Sequence, residues 1–165
     1  MNTNEPTKSQ SKRSNTGLKR QFEEVQLIYK NRMLAKDRPR INSPAMAYDV
    51  LKEIWNMDQI ELLEEFMILL LDRRMKVMSF ASISKGGYAG TVVDPKIIFA
   101  IALKRRTSGI ILAHNHPSGN TLPSREDLTL TEKIKEAGKV LDITVIDHLI
   151  ITKDSYRSLQ EENYL

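Results

Sequence analysis

The sequence predicts an α/β domain in which a mixed, partly parallel central sheet is covered by helices. Strand-like and helix-like segments alternate through the second half of the chain, as they do when strands are joined by helical crossovers. Ser43-Pro44 and Asp94-Pro95 each indicate a helix start, because an N-cap acceptor precedes a proline that fits the first helical position. The unbroken apolar run at residues 66–71 indicates a strand that is buried on both faces.

The first half of the domain is predicted to contain two helices and a hairpin. From Pro44, apolar residues recur at helical spacing to about residue 56, which predicts the first helix. The strand at 66–71 is expected to pair with residues 76–82 across a short turn. A glycine-containing loop then leads to the second helix, which begins at Pro95 and runs to about residue 106.

The second half continues the alternation, in the order strand 108–113, loop 115–123, helix 124–137 and strand 140–151. Gly138 is expected to end the third helix as its C-cap, because glycine readily adopts the left-handed conformation found there. We expect the last strand to be interrupted around Asp147 and His148. Asp154 is expected to cap a short terminal helix.

Composition excludes several classes of site and of protein. The chain of 165 residues fits one domain with a tail, and it contains no cysteine, which excludes disulfides, thiolate metal sites and cysteine nucleophiles. The longest apolar runs, residues 66–71 and 97–103, are far shorter than a bilayer span, so we expect no membrane segment. The first 20 residues lack the apolar stretch of a secretory signal, which favours a cytoplasmic location.

Charge divides the chain into two parts. Residues 1–40 contain ten Lys and Arg against four Asp and Glu, and they are polar enough that we expect a basic, largely disordered tail. Residues 41–165 contain the remaining 15 Lys and Arg against 17 Asp and Glu, and form the predicted domain. The positive net charge therefore comes from the tail, which is the part that could contact nucleic acid.

Two of the three histidines, His114 and His116, lie at the end of the predicted third strand. In extended backbone such residues face the same side, roughly 7 Å apart, and can share an ion. Asp127 lies in the first turn of the next helix and would complete three ligands, leaving a fourth position for water, as in catalytic zinc sites. A His-x-His pair is also commonly solvated, and Ser124-x-x-Asp127 has capping-box spacing; a capped Asp127 could still bind an ion.

The residues around this cluster resemble a known family. His114-x-His116, seven intervening residues and Ser124-x-x-Asp127 resemble the JAMM signature of the JAB/MPN metalloproteases. The wider context is similar to the RadC-like branch, since these segments occur in the order that family would have: EEF followed by LLLD, KGGYAGTVVDPK, HNHPSGN, PSREDLTLT and LDITVIDHLII. The resemblance extends over about residues 43–165.

The resemblance implies a cytidine-deaminase-like fold with one Zn²⁺ held by His114, His116 and Asp127. It also implies a glutamate general base two positions before the strand phenylalanine, which is Glu64, with Glu65 as the alternative. Ser124 would donate a hydrogen bond to the oxyanion. His148 lies in a stretch similar to the family's Asp-His-Leu, and we expect it to be a hydrogen-bonding residue rather than a ligand.

The function implied is that of a zinc-dependent, JAMM-type metallopeptidase-like hydrolase, which activates water against amide or isopeptide bonds of a peptide or protein substrate. The first alternative is a DNA-repair-associated accessory protein that binds nucleic acid through its basic tail and has no peptidase activity. A metal-free MPN-like interaction module is a further alternative. It ranks last, since such modules lack the ligands that this chain retains.

Overall fold

The computed structural model describes residues 34–87 and 92–165, so most of the predicted tail lies outside the described residues. The elements, in chain order, are a 3-10 helix Ala35–Asp37, α1 Pro44–Ile54, β1 Glu65–Leu71, β2 Val77–Lys85, α2 Pro95–Lys104, β3 Gly109–Asn115, α3 Arg125–Val140, β4 Thr144–Ile151 and β5 Tyr156–Ser158. None of the helices in the two described ranges is long and apolar enough to cross a membrane.

The five strands form one mixed sheet in the order β2-β1-β3-β4-β5. β1 is antiparallel to both β2 and β3, β3 and β4 are parallel, and β5 is antiparallel to β4. The predicted α/β class and the mixed sheet are confirmed. Because Phe66 pairs with His114, the start of β1 and the end of β3 lie at the same end of the sheet.

Helices cover both faces of the sheet, which explains why β1 and β3 are buried along their whole length. α1 packs on one face, in a core that includes Ala47, Leu51, Met67, Leu69, Ile111 and Ala113. α2 and α3 pack on the other, in a core that includes Ile98, Ala102, Ile134, Ile68, Leu70 and Leu112. Alternate residues of β1 enter opposite cores, so the continuous run at 66–71 has no polar face.

The predicted helix starts are confirmed by their caps. The Ser43 hydroxyl accepts a hydrogen bond from the Met46 N–H at 3.3 Å, and the Asp94 carboxylate accepts one from the Lys96 N–H at 2.9 Å. In both helices proline occupies the first turn, where its missing donor leaves no hydrogen bond unmade.

Two predictions near the end of α3 and in β4 are wrong. Gly138 lies inside α3, which continues to Val140 and has Leu141 as its C-cap. Glycine is needed there because the turn into β4 passes over the helix, and the Ile143 N–H bonds to the Gly138 carbonyl at 2.9 Å. β4 runs through Asp147 and His148 without a break; the sequence irregularity corresponds to a shift of register opposite Ile110 and Ile111.

The predicted terminal helix is also wrong. Asp154 lies in a turn closed by a hydrogen bond from the Thr152 N–H to the Ser155 carbonyl, at 2.8 Å. The chain then forms β5, and the Ser158 hydroxyl donates to the buried Asp147 carboxylate at 2.7 Å. Asp147 accepts two backbone N–H groups as well, from His148 and Gln160, so it anchors the C-terminal segment on β4.

The last residues of the predicted tail contact the β1–β2 hairpin. The Val77 N–H donates to the Pro39 carbonyl and the Ile41 N–H donates to the Met75 carbonyl, both at 2.9 Å. Arg40 forms an antiparallel bridge with Lys76. The chain therefore enters the domain at the end of the sheet that is remote from His114.

Replacing Gly138 with alanine should destabilise the domain. The added Cβ would overlap the Ile143 carbonyl oxygen, which is backbone and cannot move aside cheaply. We expect a loss of about 1–3 kcal/mol in the free energy of unfolding, measured by chemical denaturation, although alanine is the better helix former. Gly87→Ala is the control, since its Cβ would meet nothing within 4 Å. Equal stability of the two variants would contradict the packing argument.

Candidate metal centre

The structure brings His114, His116 and Asp127 together at the end of β3. The Nε2 atoms of the two histidines are 2.9 Å apart. Oδ1 of Asp127 lies 3.2 Å from Nε2 of His114, and Oδ2 lies 3.6 Å from Nε2 of His116. These three residues can each direct one ligand atom at a single ion.

The spacing of these donors suits a small tetrahedral cation. Ligands about 2.0–2.1 Å from a tetrahedral zinc ion are roughly 3.3 Å from one another. Nε2 of His114 lies 2.9 Å from Nε2 of His116 and 3.2 Å from Oδ1 of Asp127, on either side of that value. One ligand atom from each of the three residues lies within 4.8 Å of the other two. Two imidazoles and one carboxylate also form a donor set used by catalytic zinc, so the residues fit the ion that the motif implies.

β3 fixes the position of His114. The residue is 1% exposed, pairs with Phe66 of β1 and with Ile150 of β4, and lies parallel to the Phe66 ring with centroids 6.1 Å apart. Its Nδ1 is 2.8 Å from Nε2 of His148, which lies on β4. Strand pairing on both sides therefore leaves the His114 ring little freedom.

His116 follows β3 and continues its pairing, since its N–H donates to the Ile151 carbonyl at 3.1 Å. Its Nδ1 lies 2.6 Å from the carbonyl oxygen of Asn120. A carbonyl only accepts hydrogen bonds, so the proton of a neutral His116 ring is on Nδ1. Its Nε2 lone pair is then directed at His114 and Asp127.

Asp127 combines a capping role with a place in the cluster. Its Oδ2 accepts hydrogen bonds from the Ser124 N–H at 2.7 Å and from the Ser124 hydroxyl at 2.6 Å, while its own N–H donates to Ser124 Oγ at 3.0 Å. Oδ1 remains directed at Nε2 of His114. The capping box and a ligand role are therefore compatible. The Ser124 hydroxyl is bound to Asp127, and its role towards an oxyanion stays a prediction.

The surroundings favour an ionised Asp127. Burial alone would raise the pKa of this carboxyl, but the adjoining His114 and His116 rings and the hydrogen bonds from Ser124 hold it far below its usual range. The hydrogen bond to Asp127 raises the pKa of His116, although burial acts in the opposite direction. Burial lowers the pKa of His148 well below its ordinary value, so this imidazole is neutral. Asp127 is thus an anionic carboxylate that lies against the His114 and His116 rings.

The two candidate glutamates point to different places. Glu64 lies just before β1 and lines a cavity of ≈580 Å³ together with all three members of the cluster. Glu65 is turned towards β2, where its carboxylate accepts the Ser82 hydroxyl at 2.7 Å and lies 3.2 Å from the Lys85 ammonium. Of the two, Glu64 is the one that faces the centre; its role as a base stays a prediction.

Sequence reasoning missed Asn115, which lies between the two histidines and faces the opposite side of the strand. It is fully buried and holds the segment before β1. Its Oδ1 accepts the Glu65 N–H at 2.8 Å, and its Nδ2 donates to the carbonyls of Ile60 and Leu63 at 2.6 and 2.9 Å. A polar residue at a core-facing strand position is the signal that could have indicated this role.

Comparison with known proteins agrees with the geometry. The model of the RadC-like JAB domain family matches residues 41–164. A UPF0758 protein of Flavobacterium johnsoniae is 50% identical over 99 residues, which are 60% of this chain and 43% of that protein. A UPF0758 protein of Thermosynechococcus vestitus is 42% identical over 123 residues, 73% of this chain and 47% of that protein. The chain spans about half the length of these curated relatives.

Replacing Asn115 with aspartate should destabilise the domain by on the order of 3 kcal/mol, because the buried Ile60 and Leu63 carbonyls would lose their donor and face another oxygen. Urea denaturation measures the change. Asn56→Asp is the matched control: Asn56 is exposed and uses only its Oδ1, which aspartate retains, so we expect a change within about 0.5 kcal/mol. If Asn115→Asp were as stable as the control, Asn115 would not be the anchor of the Glu64 segment.

Proposed function

The chain belongs to the RadC-like JAB domain family, and we propose that it is a zinc-dependent, JAMM-type metallopeptidase-like hydrolase that cleaves amide or isopeptide bonds in a peptide or protein. The observation that carries this proposal is the convergence of His114, His116 and Asp127 beside a cavity that also contains Glu64. Metal, open cavity and a nearby carboxylate are the parts that hydrolysis of an amide by activated water requires.

His114, His116 and Asp127 would hold the zinc. A zinc ion so held supplies Lewis acidity, which lowers the pKa of a bound water towards 7. Glu64 takes a proton from the attacking water and returns it to the leaving amine, the two tasks of a general acid–base group. The Ser124 hydroxyl, which donates its proton to Asp127, is the candidate donor to the oxyanion of the tetrahedral intermediate; it would turn that proton from Asp127 to the oxyanion when substrate binds.

The lining of the cavity supports a peptide rather than a polyanion as substrate. Its apolar part is formed by Phe66, Val93, Pro117, Leu122 and Leu130. Its charged part is formed by Glu64, Glu126 and Asp127, and none of the described residues that line it is Lys or Arg. Apolar side chains can bury the side chains of a peptide, whereas the carboxylates would repel a phosphate backbone.

The opposite end of the sheet favours a second candidate function, a contact with nucleic acid. There the Ser108 N–H donates to the Leu71 carbonyl, and the Ile41 N–H donates to the Met75 carbonyl, so three chain segments meet. We call their outward-facing cationic side chains the basic surface: Lys36, Arg40, Arg73, Arg74, Lys76, Lys104 and Arg106. Arg38, whose side chain is 8% exposed and pairs with Asp72, and Arg105, which donates to Ser79 and to the Met78 carbonyl, are turned towards the domain. The same segments contain only Asp37 and Asp72 as acids.

We propose that the basic surface contacts the phosphate backbone of a nucleic acid. Four of its seven cationic residues are arginine, which binds phosphate through two parallel hydrogen bonds. The basic residues 1–33 precede it directly in the chain. This contact would lie remote from the metal centre, so it is compatible with hydrolysis as well as with a protein that has no peptidase activity.

The peptidase proposal is tested with the zinc-loaded protein and a proteome-derived peptide library, with new termini identified by mass spectrometry. Glu64→Gln should keep its zinc and lose at least about 100-fold in cleavage rate, because the base is removed and the three ligands remain. His116→Ala should lose zinc. Glu65→Gln is the matched control and should cleave normally, since the Glu65 carboxylate faces β2.

A zinc-loaded wild-type protein that produced no new termini would reject the peptidase proposal. Unchanged cleavage by Glu64→Gln, with loss of cleavage in Glu65→Gln, would move the base to Glu65. Full zinc content in His116→Ala would reject the ligand set.

The nucleic-acid proposal is tested by fluorescence anisotropy with a labelled DNA duplex at several salt concentrations. Arg73→Glu combined with Arg106→Glu should weaken binding at least tenfold at low salt and reduce the slope of log K against log salt by about 2. Lys96→Glu combined with Lys133→Glu makes the same change in net charge at exposed sites elsewhere and should bind as the wild type does. Equal weakening in both pairs would show that net charge, and not this surface, governs binding.

A further inference from the structure

Three buried side chains from three elements form a continuous hydrogen-bonded chain that ends at the metal centre. They are Thr131 on α3, His148 on β4 and His114 on β3, which are 2%, 0% and 1% exposed. Thr131 Oγ1 lies 2.6 Å from His148 Nδ1, and His148 Nε2 lies 2.8 Å from His114 Nδ1. The metal-ligand role proposed above uses only the last of the three residues.

The direction of the first hydrogen bond follows from the partners of Thr131. Its hydroxyl also lies 2.6 Å from the backbone carbonyl of Asp127, to which it donates its only proton. The contact with His148 must therefore be one in which Thr131 Oγ1 accepts. The proton of the His148 ring is then on Nδ1. The ring is fully buried and neither of its nitrogens contacts a carboxylate that could stabilise a second proton, so Nε2 is an acceptor.

The direction of the second hydrogen bond follows from the first. Because Nε2 of His148 accepts, Nδ1 of His114 must donate and carries the ring proton. The other nitrogen of His114, Nε2, keeps its lone pair, which is directed at His116 Nε2 and Asp127 Oδ1. This is the tautomer that a metal bound through Nε2 requires.

We propose that Thr131 and His148 are positioning residues that hold His114 in its metal-binding tautomer. Thr131 also binds the carbonyl of Asp127, so one hydroxyl connects the element that carries the carboxylate ligand to the ring that carries an imidazole ligand. The proposal rests on the proposed function only in that the bound ion is zinc. The hydrogen-bond directions are a property of the protein and can be measured without the metal.

The decisive variant is Thr131→Val, which keeps the shape of the side chain and removes the acceptor for His148 Nδ1–H. Without that acceptor, His148 can move its proton to Nε2 and donate it to Nδ1 of His114. The His114 proton must then lie on Nε2, where it occupies the lone pair that a metal would bind. We expect zinc affinity, measured by competition with a chromophoric chelator, to fall about 10- to 100-fold. Thr131→Ser retains the hydroxyl and should bind zinc as the wild type does.

Thr129→Val is the matched control. Thr129 is an exposed residue of the same helix, and its hydroxyl donates to the Arg125 carbonyl at 2.8 Å, four residues back, as Thr131 does to Asp127. The same substitution there removes the same helix hydrogen bond without touching a histidine. We expect its zinc affinity to be unchanged.

A second readout is the ¹⁵N NMR pattern of the histidine rings in the metal-free protein. The wild type should show a proton on Nδ1 of His148 and none on its Nε2, and Thr131→Val should show the reverse.

A wild-type protein with this pattern but without zinc binding would reject the proposed function and leave the positioning role intact. Zinc binding by Thr131→Val equal to the wild type would overturn the positioning role and leave the proposed function intact. If Thr131→Val fails to fold, a wild-type proton on Nε2 of His148 is by itself sufficient to overturn the positioning role.

Discussion

The constraint on which this end of the molecule depends is that three electron-rich groups are held against one another: the Nε2 atoms of His114 and His116 are 2.9 Å apart, and the oxygens of Asp127 lie 3.2 and 3.6 Å from them. Two imidazole nitrogens and a carboxylate oxygen at such distances repel one another unless a cation or proton lies among them. Only a rigid frame can maintain that arrangement, and each ligand has its own frame. His114 is held between β1 and β4, His116 by the Asn120 carbonyl, and Asp127 by the cap of α3.

The two ends of the sheet carry surfaces of opposite charge, a difference that the net charge of the chain does not show. One end of the sheet carries the cavity, whose charged residues Glu64, Glu126 and Asp127 are all acidic. The other end carries the basic surface, where the chain enters the domain. At each end the strands and helices bring together segments that are distant in the sequence. A peptide and a nucleic acid would therefore approach opposite ends of the domain, and neither candidate function depends on excluding the other.

The structural features that could be predicted from the sequence are those set by residues that are neighbours in the chain. The starts of α1 and α2 follow from an acceptor and a proline side by side, and the buried β1 follows from its composition. Gly138 and Asp154 were misread because their conformations are set by Ile143 and by β5, which approach through tertiary packing. The choice between Glu64 and Glu65 could not be made from composition, since consecutive residues of an extended chain face opposite sides and only the register with β2 and β3 decides which faces the cavity.

The double use of Asp127 shows why a common local motif and a metal ligand need not be competing explanations. A carboxylate has two oxygens, and the capping box engages Oδ2 while Oδ1 is directed at His114. The cap fixes the side chain at the first turn of α3, and Thr131, one turn later, binds the carbonyl of the same residue. A carboxylate on a flexible loop would lose conformational entropy when it bound an ion, whereas this one has already lost that freedom in folding. The capping residues would thus contribute to the affinity for an ion at this group through the stability of the helix, and a change that loosened this turn would weaken ion binding even though all three side chains remained.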